Sequence, residues 1–317
     1  MKKRSNVSVS GPRLPASGAA RLWKNIRRNY VLYLFILPTI TWYILFRYLP
    51  MGGIYVAFTR YKGVGEIFDA KFVGLKWFKS FFNSAYARTT IVNTLRLSLY
   101  SLATFPLPVI VALFLNEIRN EKVKKVSQTI MYAPHFISLV VLVSMVELFF
   151  NTKGVVNIVV EMLGGKATDF LGSDTAYPHL FVWSGVWTSL GWNTVIYTAA
   201  LAGVDPGLHE AATLDGATRL QRILHINIPT IAPTIVITLI LRVGNIMSVS
   251  TEKGILMRND LNLAVSETVG TFVYNRGLLR GDFGYAAAVG LFLNVVELIL
   301  LLTVNKISKK VSETSLF

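Results

Sequence analysis

The chain is 317 residues long, 53% hydrophobic and only 15% charged, where a soluble domain carries about 25% charged residues. It contains no cysteine, which excludes disulfides, thiolate metal sites and cysteine nucleophiles. Its formal net charge of +15 would suit nucleic acid, but the basic residues are distributed as membrane topology signals and lipid-headgroup contacts, and no nucleic-acid partner is expected.

Residues 1–28 form a basic tail with 8 Lys/Arg, Ser/Gly/Pro-rich over its first 20 positions and expected to be disordered. Uncharged runs follow at 29–46, 97–116, 126–146, 175–204 and 223–241, and a sixth at 283–305 is broken only by Glu297. Spanning a bilayer takes about 20 mostly apolar residues. The pattern predicts an all-α integral membrane protein with six transmembrane helices, near 30–49, 90–115, 127–150, 178–202, 228–249 and 283–304. Together they make a membrane domain over 29–304, followed by a short tail, 305–317. The first run is followed by FRYLPMGG and no small-residue cleavage site, so it is expected to remain as a span. Between spans one and two, Phe58, Tyr61, Phe72, Trp77, Phe78, Phe81 and Phe82 suit a short amphipathic helix at the interface. Pro106 and Pro108 should kink the second span, and Pro134 lies near the inner end of the third.

With the N-terminus inside, the segments 1–28, 117–125, 205–222 and 306–317 hold 17 Lys/Arg against 6 acids. The opposite side (47–88, 151–174 and 250–282) holds 13 against 9 over longer loops. The basic excess therefore places both termini in the cytoplasm.

That orientation puts EAATLDGATRLQRILHINIPTIAP, positions 210–233, on the cytoplasmic side between spans four and five, inside a loop spanning 205–227. Asp205-Pro206 reads as an N-cap followed by proline in the first helical turn. A short helix over Leu208–Leu214 carries Ala211 and Ala212, whose small side chains let another surface approach the backbone. Asp215-Gly216 breaks it. A second helix starts near Thr218, and Pro229 and Pro233 should bend the start of span five, since each costs about 3 kcal/mol in a helix interior. An ordinary polar loop with capped helices would account for the same residues.

Glu210, Ala211, Ala212, Asp215, Gly216 and Ala217, followed by Ile226, Pro229 and Pro233, resemble the EAA motif of ABC-importer permeases, with Ile223 where many members have phenylalanine. Similarity extends over YLPMGGIYVAF, FVGLKWFKSFF, NTLRLSLYS, YAPHFIS, GWNTVIYTAALAGVDPGLHEAA, GDFGYAAAVGLF and SKKVSETSL, which look like the LplB-like polysaccharide permease subgroup. The resemblance implies the type I importer permease fold in a bacterial plasma membrane, with the 205–227 loop as a coupling helix docked in a cleft of a cytoplasmic ATPase dimer. Glu210 would pair with a basic group of that ATPase, Gly216 would permit close approach, and Ile223, Ile226, Pro229 and Pro233 would support the loop. A homologous second permease, an extracellular or periplasmic sugar-binding protein and an oligosaccharide complete the implied assembly.

No G-x-x-x-x-G-K-[ST] occurs, Gly165-Lys166 being followed by Ala167, so ATP and magnesium belong on a partner polypeptide and no cofactor is expected in this chain. His135, His179, His209 and His225 have no ligand spacing, and neither a metal site nor a catalytic residue is expected. For a sugar path, Trp187, Trp192, Asn193 and Tyr197 in span four, with Asn245 and Asn294 in spans five and six, offer stacking faces and amides; they equally suit an interfacial aromatic belt and helix–helix bridges. Arg242 and Glu297 lie deep enough to require protein or water beside them. The competing function is a proton- or sodium-coupled secondary transporter, which would want further intramembrane acids. An intramembrane hydrolase ranks below both, because no nucleophile, base and ligand set converges on the spans.

Overall fold

The computed structural model describes residues 25–312; most of the two expected tails, 1–24 and 313–317, lies outside the described residues. Every extended element among the described residues is helical, apart from one antiparallel bridge between Thr59 and Phe72.

The chain divides after Ile54 into two compact units. The first contains α1 (Tyr30–Tyr43), which continues through a π-turn (Ile44–Tyr48) into the start of a 3-10 segment (Leu49–Phe58) whose last four residues belong to the second unit. Leu34, Phe35, Leu37 and Phe46 are all exposed along it. A helix that is apolar all round is built for lipid or another chain.

The second unit is a bundle. Its helices are α2 (Lys76–Phe82), α3 (Ala85–Ala103), α4 (Pro106–Asn116), α5 (Glu121–Tyr132), α6 (Leu139–Phe150), α7 (Val155–Met162) and the long α8 (Ala176–Ala202). Then come α9 (Pro206–Leu214), α10 (Arg219–Arg222), α11 (Ile228–Gly244), α12 (Thr251–Met257), α13 (Leu263–Ser266), α14 (Val269–Tyr274) and α15 (Phe283–Ser312). Helix α8 is the spine. Its first half packs Tyr177, Phe181 and Val182 against Leu97 of α3, Leu142, Val143 and Val146 of α6, and Met257 of α12. Its second half packs Tyr197 and Leu201 against Val109, Ala112 and Leu113 of α4 and Ile231 of α11. Gly191 lies between these halves, and a Cβ there would collide with the carbonyl of Met131. The bare backbone is what lets the end of α5 approach α8.

Among the described residues, five helical stretches are long and apolar enough to cross a membrane: Tyr30–Phe58, Ala85–Asn116, Leu139–Met162, Arg219–Gly244 and Phe283–Lys310. The expected fourth span, α8, has 27 residues and no Asp, Glu, Lys or Arg, but its Ser, Thr, Trp and Asn side chains make it less apolar than the others. The second span divides at Thr104-Phe105, with Pro106 opening α4, as its prolines require. The expected 127–150 span is two helices. Pro134 turns the chain into a 3-10 segment (Ala133–Phe136), and the Ser138 hydroxyl then caps α6 by accepting from the Val141 N–H at 3.3 Å. The fifth span stops at Gly244, short of the expected 249, and the sixth continues to Ser312.

The aromatic segment after span one packs one face on the bundle and leaves Phe72 and Phe82 exposed. Phe81 of α2 is buried against Phe272, Tyr285 and Phe292, and the Trp77 indole N–H donates to the Thr59 carbonyl at 2.8 Å. The 245–282 loop is stitched to the bundle by buried amides. Asn93 of α3 donates to the Ala264 and Glu267 carbonyls at 2.9 and 3.0 Å, and Asn262 donates to Leu171 and Met257 at 2.9 and 3.1 Å. Buried polar groups are costly unless paired, so these bonds fix the loop's position.

Candidate functional site

The 205–227 segment folds by local rules. The Asp205 carboxylate accepts from the Gly207 N–H at 2.9 Å, capping α9 with Pro206 in its first turn. At the other end, the Ala217 N–H reaches the Ala212 carbonyl (2.8 Å) and the Gly216 N–H reaches that of Thr213 (3.1 Å). This is the paired closure of a left-handed helix stop, and Gly216 supplies it with φ of +75°. Thr218 and Gln221 then cap α10 reciprocally. Arg222 Nη1 donates to Thr213 Oγ1 at 2.8 Å, tying the two short helices at a fixed angle.

Four of the six expected contact residues are exposed on this hairpin. Glu210, Ala211, Asp215 and Gly216 are exposed, with Ala212 and Ala217 half-buried. Leu214 is 90% exposed and Leu220 64%, an apolar rim beside two carboxylates that have no basic partner among the described residues. Behind it, Ile223 and Ile226 pack on the Val109–Tyr197–Ile231 cluster, so the hairpin stands on the bundle core. Ile223–Asn227 forms a π-turn, and Pro229 and Pro233 fall within α11 immediately after it. Each proline lacks the N–H of an ordinary helical turn, and the wide turn sits where the ladder loosens. Asn227 is fully buried there, with both side-chain polar atoms unpaired.

The second group of expected residues is divided by the structure. Trp192, Asn193 and Tyr197 line one cavity of about 450 Å³ between α4, α8 and α11. Trp192 also stacks on His135, centroids 4.6 Å apart and planes 2° from parallel. Tyr197 is nearly fully buried and its hydroxyl shares a 2.8 Å hydrogen bond with that of Thr238, so it is a strut between α8 and α11. Trp187 faces a separate, apolar pocket with Trp183, His179 and Phe149. Asn245 borders a further cavity of about 310 Å³, while its amide donates to the Leu241 carbonyl at 3.0 Å. Asn294 is exposed on α15 and does not border these cavities.

The 310 Å³ cavity shares Ser189 and Arg242 with the larger one. Arg242 Nη2 donates to Ser101 Oγ at 2.7 Å. Its second cation, Lys253, escaped sequence reasoning because it lies past the end of the fifth apolar run, in an ordinary-looking polar loop. Ser250 caps α12 and orients it inward. Lys253 is 4% exposed, its Nζ donates to the Phe181 carbonyl at 2.6 Å, and it sits 4.9 Å from that residue's ring centroid. Burial pulls its pKa down to about 8. Glu297, expected to need a neighbour, has one: Ser248 Oγ donates to it at 2.8 Å.

The chain thus combines a helical bundle whose helices are long enough to span a membrane, a capped hairpin standing on its core, and mostly apolar cavities bordered by a few polar groups. Residues 104–313 match the family described as binding-protein-dependent transport system inner membrane component, and the chain belongs to that family. It is 39% identical over 294 residues to Protein LplB of Bacillus subtilis (strain 168), covering 92% of each chain. It is also 39% identical over 298 residues to the polygalacturonan/rhamnogalacturonan transport system permease protein YteP of the same organism, covering 93% of this chain and 92% of that one. Among solved structures it resembles a bacterial alginate ABC transporter in complex with alginate pentasaccharide-bound periplasmic protein. The TM-score is 0.87 at 36% identity, over 93% of this chain and 100% of that chain.

Proposed function

We infer that the chain is the permease subunit of an ATP-driven ABC importer for oligosaccharides, and that the α9–α10 hairpin is its contact with the ATPase. The observation that carries this reading is the hairpin's construction. Its outward face offers unpaired carboxylates and exposed leucines, while its inward face, Ile223 and Ile226, stands on the core cluster that includes Tyr197. Tyr197 in turn borders the larger cavity. A push on the hairpin therefore reaches a cavity wall through packed side chains, which transmit displacement because protein interiors are close-packed.

In this reading six spans cross a bacterial plasma membrane, with both termini and the hairpin in the cytoplasm. A homologous second permease faces this one, and an extracellular or periplasmic binding protein delivers the sugar. Closure of the ATPase dimer draws the hairpins together and rocks the spans, exposing the cavities to each side in turn. ATP and magnesium stay on the ATPase.

The test is affinity purification of the tagged chain from its native membrane in mild detergent, beside Glu210→Ala and Leu214→Asp forms. The expected result is an ATPase and a second permease with the unaltered chain, and loss of the ATPase alone from both variants. Identical partners in all three forms would remove the hairpin from the contact. Sugar uptake that survives ATP depletion but collapses with an uncoupler would establish a proton-coupled carrier instead.

A further inference from the structure

We propose that His135 is a positioning residue for sugar binding: its imidazole backs the indole of Trp192, so that the indole stands as a fixed plate for a sugar ring in the wall of the larger cavity. This rests on the importer reading above and adds a residue to it.

The two rings lie 4.6 Å apart with planes 2° from parallel. The pair next closest among the described residues, Phe82 with Phe292, meets edge-on at 5.1 Å. Phe136 closes the edge of the stack, 5.8 Å from His135 and 6.5 Å from Trp192 and nearly perpendicular to both. Neither nitrogen of His135 has a hydrogen-bond partner among the described residues, so its directed contacts are these two rings.

Local features of the chain place the stack. Pro134 turns the backbone into the 3-10 segment that carries His135 and Phe136, and the Ile137 N–H returns to the Pro134 carbonyl at 3.2 Å. The Ser138 cap then fixes where α6 begins. On the other side, Trp192 follows Gly191, the bare position against which the Met131 carbonyl lies. A β-carbon at 191 would push the end of α5 off α8, and the His135 segment with it.

Trp192 is 49% exposed and lines the 450 Å³ cavity with Thr104, Ser189 and Asn193. A half-exposed side chain has rotamers to lose when a ligand lands on it, and holding one in place beforehand is worth a roughly 2- to 13-fold gain in affinity. His135 takes one face of the indole and Phe136 an edge, which leaves the second face for a ligand. A pyranose ring carries C–H groups on its faces and hydroxyls around its rim. The C–H face suits the electron-rich face of an indole, while Thr104, Ser189 and Asn193 offer donors and acceptors to the rim.

The experiment uses the purified complete transporter in detergent, with the binding protein omitted so that the cavity is read directly. Trigalacturonate, cellotriose and maltotriose are titrated by equilibrium binding, and the tightest of them serves as the probe. His135→Ala should weaken the probe about fivefold, whereas His135→Phe, which keeps a ring on the indole, should stay within about twofold of the unaltered transporter. His135→Leu guards against a mere loss of bulk and should behave as the alanine form does. Trp192→Ala should cost about tenfold, and adding His135→Ala to it should change nothing further, because His135 acts only through the indole. Melting temperatures read folding separately and should be alike for the phenylalanine and leucine forms. Additive losses in the double variant, or equal losses for phenylalanine and alanine at position 135, would overturn the proposal by giving the imidazole a contact of its own. Loss of the second permease from the His135→Ala complex would make the stack a contact between subunits and overturn it too. No binding of any of these sugars by the unaltered transporter would remove the plate. Failure of the importer reading itself would show separately, as a purified chain with no ATPase attached.

Discussion

Gly216 separates two reasons for a glycine that usually travel together. Its φ of +75° lies in the left-handed region, yet a Cβ built there meets nothing within 4 Å. Within this chain a substitution therefore costs only backbone conformation, about 1–2 kcal/mol for an ordinary L-residue and less for asparagine. If the hairpin must keep its helix stop to dock, Gly216→Ala should weaken ATPase binding by a factor of about 5 to 30. Gly216→Asn should lose less, and Gly216→Val more, because a β-branched residue is the poorest fit to positive φ. The assay is the dissociation constant of the isolated ATPase for detergent-solubilised permease, measured for all four chains. Equal losses for alanine and asparagine would refute the conformational account. They would assign Gly216 instead to direct contact, where any side chain meets the ATPase surface.

Three further outcomes follow from the bundle. Tyr197→Phe should leave sugar uptake within twofold and lower thermal stability by about 1 kcal/mol, the worth of one hydrogen bond, because its hydroxyl is committed to Thr238; a tenfold loss of uptake with unchanged stability would return Tyr197 to the sugar path. Gly191→Ala should reduce the yield of folded protein in the membrane, since the new methyl meets the Met131 carbonyl, and normal yield and melting temperature would show that α5 gives way freely. Lys253 loses pKa on folding, from 10.5 to about 8, so the unfolded state holds the extra proton between those values and stability should rise with pH across that window. The melting temperature in detergent should therefore climb from pH 8 to 10 more steeply for the native chain than for Lys253→Met, and parallel slopes would contradict it.

Much of the hairpin was legible in the sequence because it is built from local chemistry. Asp205-Pro206 starts a helix, Asp215-Gly216 ends it and Thr218 starts another, with each signal complete within a few residues. The spans were legible as apolar runs but not in their ends. The run 126–146 carries no charge, so hydropathy passes over the break at Pro134–Ser138, whose cause is backbone geometry. Cavities were the least legible feature. Trp187 and Trp192 lie five positions apart on one helix yet serve different pockets, and Lys253 meets Phe181 across 72 positions. Such pairings come from the packing of α8 against α4, α6 and α12, which no short window of sequence contains.

The cluster of Val109, Tyr197 and Ile231 carries the hairpin on one side, and Tyr197 forms part of the larger cavity's wall on the other. If, as proposed, the hairpin seats an ATPase and the cavity a sugar, this one set of side chains stands between two binding equilibria, and linkage makes their coupling reciprocal. A sugar bound tenfold more tightly when the ATPase is engaged must raise the affinity for the ATPase tenfold in return. Cargo in the cavity and the motor on the hairpin then report on each other through the same few methyl groups and one phenol ring.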